Sequence, residues 1–489
     1  MKSQLLASPG QRVGTSPGQP PVPARRNPTR GRFAAQHRRR MFRTDMLTVA
    51  LWASLAAALA LWLADGGMSS VGNLTQAVTA VGILAGLAGM DLVFLMLLLA
   101  ARLPFVDGAV GHDRALEFHR KLGKPALYLL LAHGLLLATG YGMAEGLNPV
   151  SEAVALWTLV PDMWLAFVSM ALFIAVVVTS LVAVRHRFPY EFWYFVHLLT
   201  YLAVAVALPH QFSVGGLFAE GTWQRWYWLL LYIGTGSALA WFRIARPVIA
   251  TYRHQLTVRR VVPLVPGVFS IEMSGLRLNE LSGNGGRFFV WRFLAPGMWW
   301  QAHPFSLSAE PQVGKSSRQP TLRITVRNLG AGSARLASLK PGTKVAIEGP
   351  YGVFSTAARS REHVVMIGAG IGITPLRALL ESTPFAPGQA TVLLRCSSTE
   401  ELFLGDEILE LCRKRGATLF HLTGPRSANT QSAWLPASAG TSRLRDFVPD
   451  ITDADVYICG PSAWARLVLA EAKASGVREE QLHYERFDW

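Results

Sequence analysis

HRKLGKPALYLLLAH (residues 119–133) and HLLTYLAVAVALPH (residues 197–210) each begin and end on histidine within long, largely apolar stretches. Imidazole is costly in hydrocarbon, so histidines in membrane-crossing helices face a bundle interior and act there. The intervals are fourteen residues from His119 to His133 and thirteen from His197 to His210. At about 1.5 Å rise per residue, both correspond to roughly 20 Å of helix. Each helix therefore offers one imidazole near each bilayer face. At roughly 100° per residue, fourteen positions return close to the same helix face and thirteen do not. Pro209, directly before His210, supplies the kink the second helix needs. Two irons can then each take one histidine from each helix, and the quartet reads as the ligand set of two stacked haems. Satisfied core histidines are the plainer reading for any one of them, and a poor one for the matched quartet.

The composition fits a membrane protein with a large soluble part. Hydrophobic residues make up 51% and charged residues 16% of the 489, with mean hydropathy +0.28, too apolar for an ordinary soluble chain. The apolar residues concentrate before residue 246, in six runs long enough to cross a roughly 30 Å core: 45–64, 78–101, 117–143, 163–184, 191–212 and 224–244.

Lys and Arg predict the orientation. The N-terminal tail, the loop with Arg102, Arg114, Arg120, Lys121 and Lys124, the loop with Arg185 and Arg187, and the exit at Arg243 and Arg246 are basic, which marks the cytoplasmic side. The alternate loops carry Asp65, Glu145, Glu152, Asp162 and Glu220 and no base, so they face outward. Six spans leave both termini cytoplasmic, in the plasma membrane. His119 then pairs with His197 at the inner face and His133 with His210 at the outer.

Residues 1–44 hold ten Lys or Arg and no acid, and read as a disordered basic tail that enforces topology and attracts anionic lipid. Nucleic-acid binding is disfavoured because aromatic interleaving is absent. No short apolar run follows Arg25-Arg26, so no removable signal is expected. Cys396, Cys412 and Cys459 all lie in the C-terminal half, at spacings that suggest neither disulfide nor metal site.

Two modules are expected after the last span. In residues 252–355, short β-patterned runs at 255–262, 288–293, 322–326 and 344–348 alternate with Gly and Pro turns, which predicts a small antiparallel barrel. In residues 360–489, strands at 363–367, 390–394, 418–422 and 456–459 alternate with helices at 375–382, 405–414 and 463–475, a parallel α/β nucleotide-binding pattern.

Several motifs punctuate these modules. His303-Pro304-Phe305-Ser306 reads locally as a turn before a strand. Arg327-Asn328-Leu329-Gly330-Ala331-Gly332-Ser333 is a glycine-rich turn opening a helix, a context that suits anions because free N–H groups point outward. Gly349-Pro350-Tyr351-Gly352 is a tight turn. Gly368-Ala369-Gly370-Ile371-Gly372-Ile373-Thr374-Pro375 joins a strand to a helix, as a dinucleotide phosphate loop must. Cys459-Gly460-Pro461 follows another strand, and Glu485-Arg486-Phe487 lies near the end.

Together the histidine intervals and these motifs resemble the NADPH oxidase and ferric reductase superfamily, single-chain bacterial NADPH oxidases in particular. That family joins a six-helix di-haem transmembrane domain to an antiparallel β-barrel FAD domain and an α/β parallel-sheet NAD(P)-binding domain. The corresponding segments here are 45–246, 252–355 and 360–489, and only the tail lies outside the resemblance. The resemblance implies that Ser306 hydrogen-bonds near flavin N5 and that His303, Pro304 and Phe305 lie along the pyrophosphate, with His303 standing where soluble relatives commonly have Arg. Arg327, Gly330, Gly332 and Ser333 would receive that pyrophosphate. Gly368, Gly370, Gly372, Thr374 and Pro375 match the ferredoxin-reductase form of the nucleotide loop. Cys459, Gly460 and Pro461 would let nicotinamide approach the flavin. Glu485 and Phe487 match the terminal carboxylate and stacking aromatic, with Trp489 a second candidate for the stack. Arg395, Ser397 and Arg426 would hold a 2′-phosphate, favouring NADPH, with NADH as the alternative.

The implied activity is electron transfer from NAD(P)H through FAD and two b-type haems, the protein positioning cofactors that carry the chemistry. Arg114, Arg120 and Lys121 are candidates for the inner haem propionates, and Asp91 for a proton or acceptor path. The expected acceptor is external oxygen, reduced to superoxide; a ferric chelate or quinone is the alternative. A non-enzymatic membrane sensor of nucleotide or flavin is the reading from a different class.

Overall fold

A computed structural model describes residues 29–185, 187–312, 320–428 and 433–485. It divides into two compact units: Thr44–Val106 with Arg114–Arg243, and Met1–Arg43, Asp107–Asp113 and Ile244–Trp489.

Among the described residues, six helices are long and apolar enough to cross a membrane: Arg38–Ala64, Leu74–Ala100, Arg114–Glu145, Met163–Ser180, Glu191–Val214 and Trp223–His254. Helix is what such sequences must form in lipid, where every backbone N–H and C=O has to be satisfied within the segment. The elements are α1 (Thr29–Ala64), α2 (Leu74–Ala100), α3 (Pro104–Val110), α4 (His112–Glu145), α5 (Pro149–Leu159), α6 (Met163–Ser180), α7 (Val182–Arg185), α8 (Tyr190–Val214) and α9 (Trp223–Leu239). The Asn73 carboxamide caps α2 by accepting from Gln76 N (2.9 Å). α5 falls in a loop to which the sequence assigned no element. Asn148 accepts there from Val150 and Ser151 N, and Pro149 occupies the first turn.

Two boundaries depart from expectation. α1 begins at Thr29, so residues 29–44 are helical rather than disordered tail. Past Gly31 they contain no Gly or Pro, and five of the thirteen residues are Arg, a good former onto which a helix propagates. The expected tail before residue 29 lies outside the described residues. Beyond α9, a π-helical turn (Ala240–Ala245) and α10 (Arg246–His254) follow. Pro247 near the start of α10 cannot donate to the fourth carbonyl before it, and the wider turn accommodates that lost bond.

Small residues let α2 approach α4. A Cβ on Gly82 would lie 3.1 Å from Leu136 Cβ, and one on Gly89 3.0 Å from Leu130 Cδ2, the close packing that membrane helices use in place of a hydrophobic driving force. α6 and α8 are tied by Ser169 Oγ donating to Ala203 O (2.9 Å).

In the second unit an antiparallel sheet is built from β1 (Leu256–Val265), β2 (Val268–Ser274), β3 (Phe288–Phe293), β4 (His303–Ser306), β5 (Thr321–Arg327) and β6 (Lys344–Tyr351), in the order β4-β3-β6-β1-β2-β5. A bridge between Leu307 and Ile324 brings the end strands together, closing the sheet on itself. Ile271, Phe289, Trp291, Phe293 and Ile324 fill the interior with no exposed surface. Trp291 Nε1, buried among them, is satisfied by the Phe305 carbonyl at 2.9 Å. β2 and β4 were not legible as strands. Residues 303–306, expected as a turn, pair with β3 from His303↔Trp291 to Ser306↔Phe288. A short helix, α11 (Ala331–Leu336), follows β5.

The last part is a parallel sheet in the order β11-β10-β7-β8-β9. Its elements are β7 (His363–Ala369), α12 (Ile373–Ser382), β8 (Ala390–Cys396), α13 (Gly405–Arg415), β9 (Thr418–Thr423), α14 (Leu444–Phe447), β10 (Ala454–Cys459), α15 (Ser462–Ala474) and β11 (Leu482–Glu485). Chain order reverses at β7, which has β8 on one side and β10 on the other, and crevices at the strand ends of such switch points bind ligands. Arg323 of β5 donates to both oxygens of Glu407 (2.8 and 2.7 Å), and Arg377 of α12 to the same carboxylate (2.9 Å), joining the two sheets. Burial would raise the Glu407 pKa, but Arg323 and Arg377 outweigh it and hold the carboxyl below its ordinary value.

Asp455 at the start of β10 is fully buried. It accepts from Ser360 N (2.7 Å), Ser360 Oγ (2.9 Å), Arg361 N and His483 Nε2 (3.0 Å). These bonds fasten the segment entering β7 and the final strand to one carboxylate. Asp455→Ala strands all four donors. The expected cost is about 3 kcal/mol or more, read as a lower unfolding midpoint for this unit by tryptophan fluorescence.

Candidate functional site

The histidine ring nitrogens are committed in a regular way. His119 Nδ1 donates to the Met96 carbonyl (3.0 Å) and His133 Nδ1 to the Gly82 carbonyl (2.8 Å). Met96 and Gly82 are fourteen residues apart on α2, the interval that separates the two histidines on α4. The Ser180 hydroxyl donates to Val176 O (2.7 Å), so His197 Nδ1 is the donor in its 3.4 Å contact with Ser180 Oγ. Trp193 stacks on the His197 ring, with centroids 5.2 Å apart. In all three rings the proton sits on Nδ1 and the Nε2 lone pair is free to bind a metal, the arrangement outer partners impose on ligating histidines.

His119 and His197 rings lie with centroids 6.0 Å apart and planes at 69°. Two metal–imidazole bonds of about 2 Å and half a ring on either side sum to roughly 6 Å, so one iron fits between them. Gly86 makes room for His133, since a Cβ there would stand 2.4 Å from its Nδ1. The His119–His197 spacing thus fits a metal held between two imidazoles. Pro209 lies inside α8 as expected, and a second interior proline, Pro125, lies in α4 between its histidines.

In the other unit the motifs converge. Ser306 pairs with Phe288, and Phe288 with Tyr351. Gly352, the next residue, has a positive φ of 87°, and a Cβ on it would meet the Glu485 carboxylate at 3.3 Å. Glu485 pairs with Cys459 across β10 and β11. Ser306, Glu485 and Cys459 thus stand on neighbouring strands of the two sheets. On the other flank, a Cβ on Gly332 would lie 3.9 Å from His303 Cε1 and one on Gly370 3.3 Å from Arg327 Nη1, so each glycine-rich segment abuts a residue of another motif. Ser333 is engaged within its own turn, accepting from Leu329 N at 2.9 Å.

Among the described residues, three of the thirteen buried polar side-chain atoms without a protein partner fall on these motifs: His303 Nε2, Ser306 Oγ and Thr374 Oγ1. Such atoms are rare and need an explanation, and a polar cofactor lying along the motifs supplies one. Glycines set the approach. A Cβ on Gly372 would stand 2.2 Å from Cys459 O, and one on Gly460 2.7 Å from Trp464 Cζ3. Pro375 is buried in the first turn of α12, and Gly368 abuts Leu376 there. Pro304 and Phe305 are half-buried along β4, and Pro461 is exposed at the start of α15. Burial first, and the Glu485 carboxylate second, push the Cys459 thiol well above its ordinary range; it is a neutral, compact side chain.

Two sequence expectations change. Arg395, expected at a 2′-phosphate, is buried, and its Nη1 donates to the carbonyls of Cys396 and Leu422. It sits in the strand rather than on the rim. Ser397 and Arg426 are exposed, and the Ser397 N–H donates to Glu401 (3.0 Å). Phe487 and Trp489 lie outside the described residues. Lys121, expected near a propionate, pairs with Glu117 at 2.9 Å, while Arg114 and Arg120 are exposed. The sequence did not flag Arg287 and Asp107, which secure the turn at Gly352. Asp107 accepts from Gly352 N (3.2 Å) and Arg287 Nη2 (3.3 Å), and Arg287 Nε donates to Gly352 O (3.2 Å). Nor did it flag the α2 carbonyls, although the Gly82, Gly86 and Gly89 spacing was a usable signal.

Burial first, and Arg292 second, lower the His303 pKa from 6.5 to about 4. As pH falls, the unfolded chain takes up this proton before the folded one does. The His303 contribution to stability is therefore whole above pH 6.5 and is lost on the way down to about 4. Flavin-free protein is expected to lose stability across that window, and His303→Gln to flatten part of the slope, as measured by hydrogen exchange.

Comparison with known proteins agrees with this architecture. Residues 85–208 match the family described as ferric reductase like transmembrane component, and residues 366–469 the oxidoreductase NAD-binding domain. A flavohemoprotein of Vibrio cholerae serotype O1 is 29% identical over 180 residues, 34% of this chain and 42% of that one. Ferredoxin–NADP reductase B of Sorangium cellulosum is 27% identical over 197 residues, 38% of this chain and 77% of that one. The chain thus spans less than half the length of the flavohemoprotein. Among solved structures, the FAD/NAD-binding domain of a Vibrio cholerae nitric oxide dioxygenase aligns at 24% identity and a TM-score of 0.37, covering 48% of this chain and 98% of that one. The chain thus joins a segment similar to ferric reductase transmembrane components to segments similar to FAD- and NAD-binding reductase modules, an arrangement that matches the architecture of NADPH oxidases and ferric reductases.

Proposed function

We propose that the protein passes electrons from cytosolic NAD(P)H through FAD and two b-type haems to an acceptor outside the membrane, most readily oxygen, giving superoxide. The observation that carries this reading is the pair of opposed imidazoles, His119 and His197, 6.0 Å apart at their centroids, with His119 Nδ1 tied to a backbone carbonyl. His119 and His197 would hold the inner haem, and His133 and His210 the outer one. When bound, FAD and haem supply the change from two-electron to one-electron chemistry.

The chain's own groups would orient and insulate. Ser306 Oγ would donate to the flavin ring, while His303 and the Arg327–Ser333 turn hold its phosphates. Gly372 and Gly460 keep the backbone low enough for nicotinamide to approach, and the neutral Cys459 thiol excludes water without adding charge. Glu485 stands ready to orient the reacting rings. Arg426 and Ser397 are the groups that would favour NADPH. With two histidines holding each iron, oxygen would be reduced without binding to the metal. The match of residues 85–208 to a ferric reductase like component supports a ferric chelate as the second reading.

Purified protein should show a bis-histidine haem spectrum that reduces on adding NADPH and FAD; haem-free protein, or haem that stays oxidised, would leave only a sensing role. Superoxide trapping against ferric chelate reduction, each with and without oxygen, separates the acceptors. His133→Ala should abolish external reduction and spare reduction of FAD. Gly86→Leu, which drives a side chain into His133, should weaken retention of the outer haem by about tenfold to a hundredfold, scored by haem content after gel filtration.

A further inference from the structure

Asp91 lies in the middle of α2 with no exposed surface. Oδ1 accepts from Ser54 Oγ of α1 at 2.7 Å. Oδ2 is buried and has no partner among the described residues. Among the described residues no Lys, Arg or His acts on this carboxyl. Tyr227 of α9 is the titratable group facing it, and its hydroxyl donates to the Ser54 carbonyl (3.3 Å). A single hydroxyl is poor compensation for a carboxylate in a membrane interior, and an ionisable group there is retained at a cost for a purpose.

Its position along α2 suggests that purpose. The carbonyls of Gly82 and Met96 hold His133 and His119, and Asp91 lies between them in the chain. It is nine residues from one and five from the other, about 13 Å and 7 Å along the axis. Gly82, Gly86 and Gly89 face α4, whereas Asp91 faces α1 and α9. The carboxyl is therefore at a depth between the two histidine pairs and on the opposite side of the helix that orients α4's two histidines. Toward one end of the bundle the same interface stays polar: Gln224 Nε2 of α9 donates to Asp65 Oδ1 beyond α1 (3.3 Å). Tyr227 is one turn further along α9.

We propose that Asp91 is a redox-linked proton site, taking up one proton for each electron that enters the bundle and releasing it when the electron leaves. An added negative charge in a low-dielectric interior is costly unless balanced nearby, and a carboxylate with one uncommitted oxygen is the group at hand to balance it. The electron comes from NAD(P)H by way of the reductase unit, and the proton from water on the Asp65 side. An O–H bond forms at Oδ2 as one breaks in the donating water or hydronium. Both charges depart when the acceptor is reduced. This rests on the electron-transfer reading above.

The test is a potentiometric titration of the purified, haem-loaded protein from mildly acid to mildly alkaline pH, with redox difference infrared spectra on the same samples. In the wild type, the reduction equilibrium should weaken toward tenfold per unit of rising pH, and reduction should bring up a carboxylic acid C=O band that shifts in heavy water. Asp91→Asn should flatten the pH dependence and remove the band, and Asp91→Glu should restore both. An unchanged pH slope in Asp91→Asn overturns the proposal, because a purely structural hydrogen bond would leave that slope alone. If Asp91→Asn does not assemble, the wild-type spectrum decides: no carboxyl band sinks the idea, and one that Ser54→Ala shifts supports it. Wild-type protein without haem overturns the electron-transfer reading itself; haem with no Asp91 signature overturns this inference alone.

Discussion

A histidine within a membrane helix must commit one ring nitrogen before the other is of use. On α4 both commitments go to backbone carbonyls of α2, at Met96 and Gly82. A side-chain partner on a flexible stem would cost rotamer entropy, whereas a helix carbonyl is already fixed. The two carbonyls repeat at the interval of the two imidazoles because both helices share one rise per residue. Ring orientation, tautomer and depth all follow from that match. Gly82, Gly86 and Gly89 are what allow it, since any Cβ at these positions would meet α4 side chains at 3.1 Å or less. The opposing ring, His197, is held by Ser180 and backed by Trp193.

The reductase unit solves a different problem, that of keeping two sheets in fixed relation around a nucleotide. It does so with charge. Arg323 and Arg377 converge on Glu407, and Arg377 also reaches Glu381. Asp455 gathers the entering segment and the closing strand. Ion pairs exposed to solvent contribute little, but bidentate pairs at a sheet-to-sheet contact restrict geometry more than they add energy. The glycines at 352, 372 and 460 then bring backbone and carboxylate to distances that any larger residue would prevent.

Much of this was legible in the chain. Long apolar runs permit only helix in lipid, and the six expected spans coincide with the six candidate helices. Strand–glycine–helix at 363–382 was readable because a phosphate loop needs that local order. Strands β2 and β4 were not read: β4 has only four residues, one of them Pro304, and β2, although hairpinned to β1, intersperses Ser270, Glu272 and Ser274 among its apolar residues. The helical extension at 29–44 was masked by its charge, which composition reads as solvated coil although Arg favours helix. Arg395 shows the limit most plainly. Its identity and its place after a strand suggested phosphate, yet its guanidinium turns inward to the Cys396 and Leu422 carbonyls.

The sequence by itself determined what is periodic or local: spans, histidine intervals, glycine-rich turns and the order of the modules. These depend on rise per residue and on backbone sterics, which neighbouring residues decide. Only the tertiary structure decided which carbonyl accepts from which imidazole, that Asp107 and Arg287 brace the turn at Gly352, and that Asp91 accepts from Ser54 on a neighbouring helix. Those relations join residues dozens to hundreds of positions apart, and hydrogen-bond geometry between them exists only once separate elements have packed.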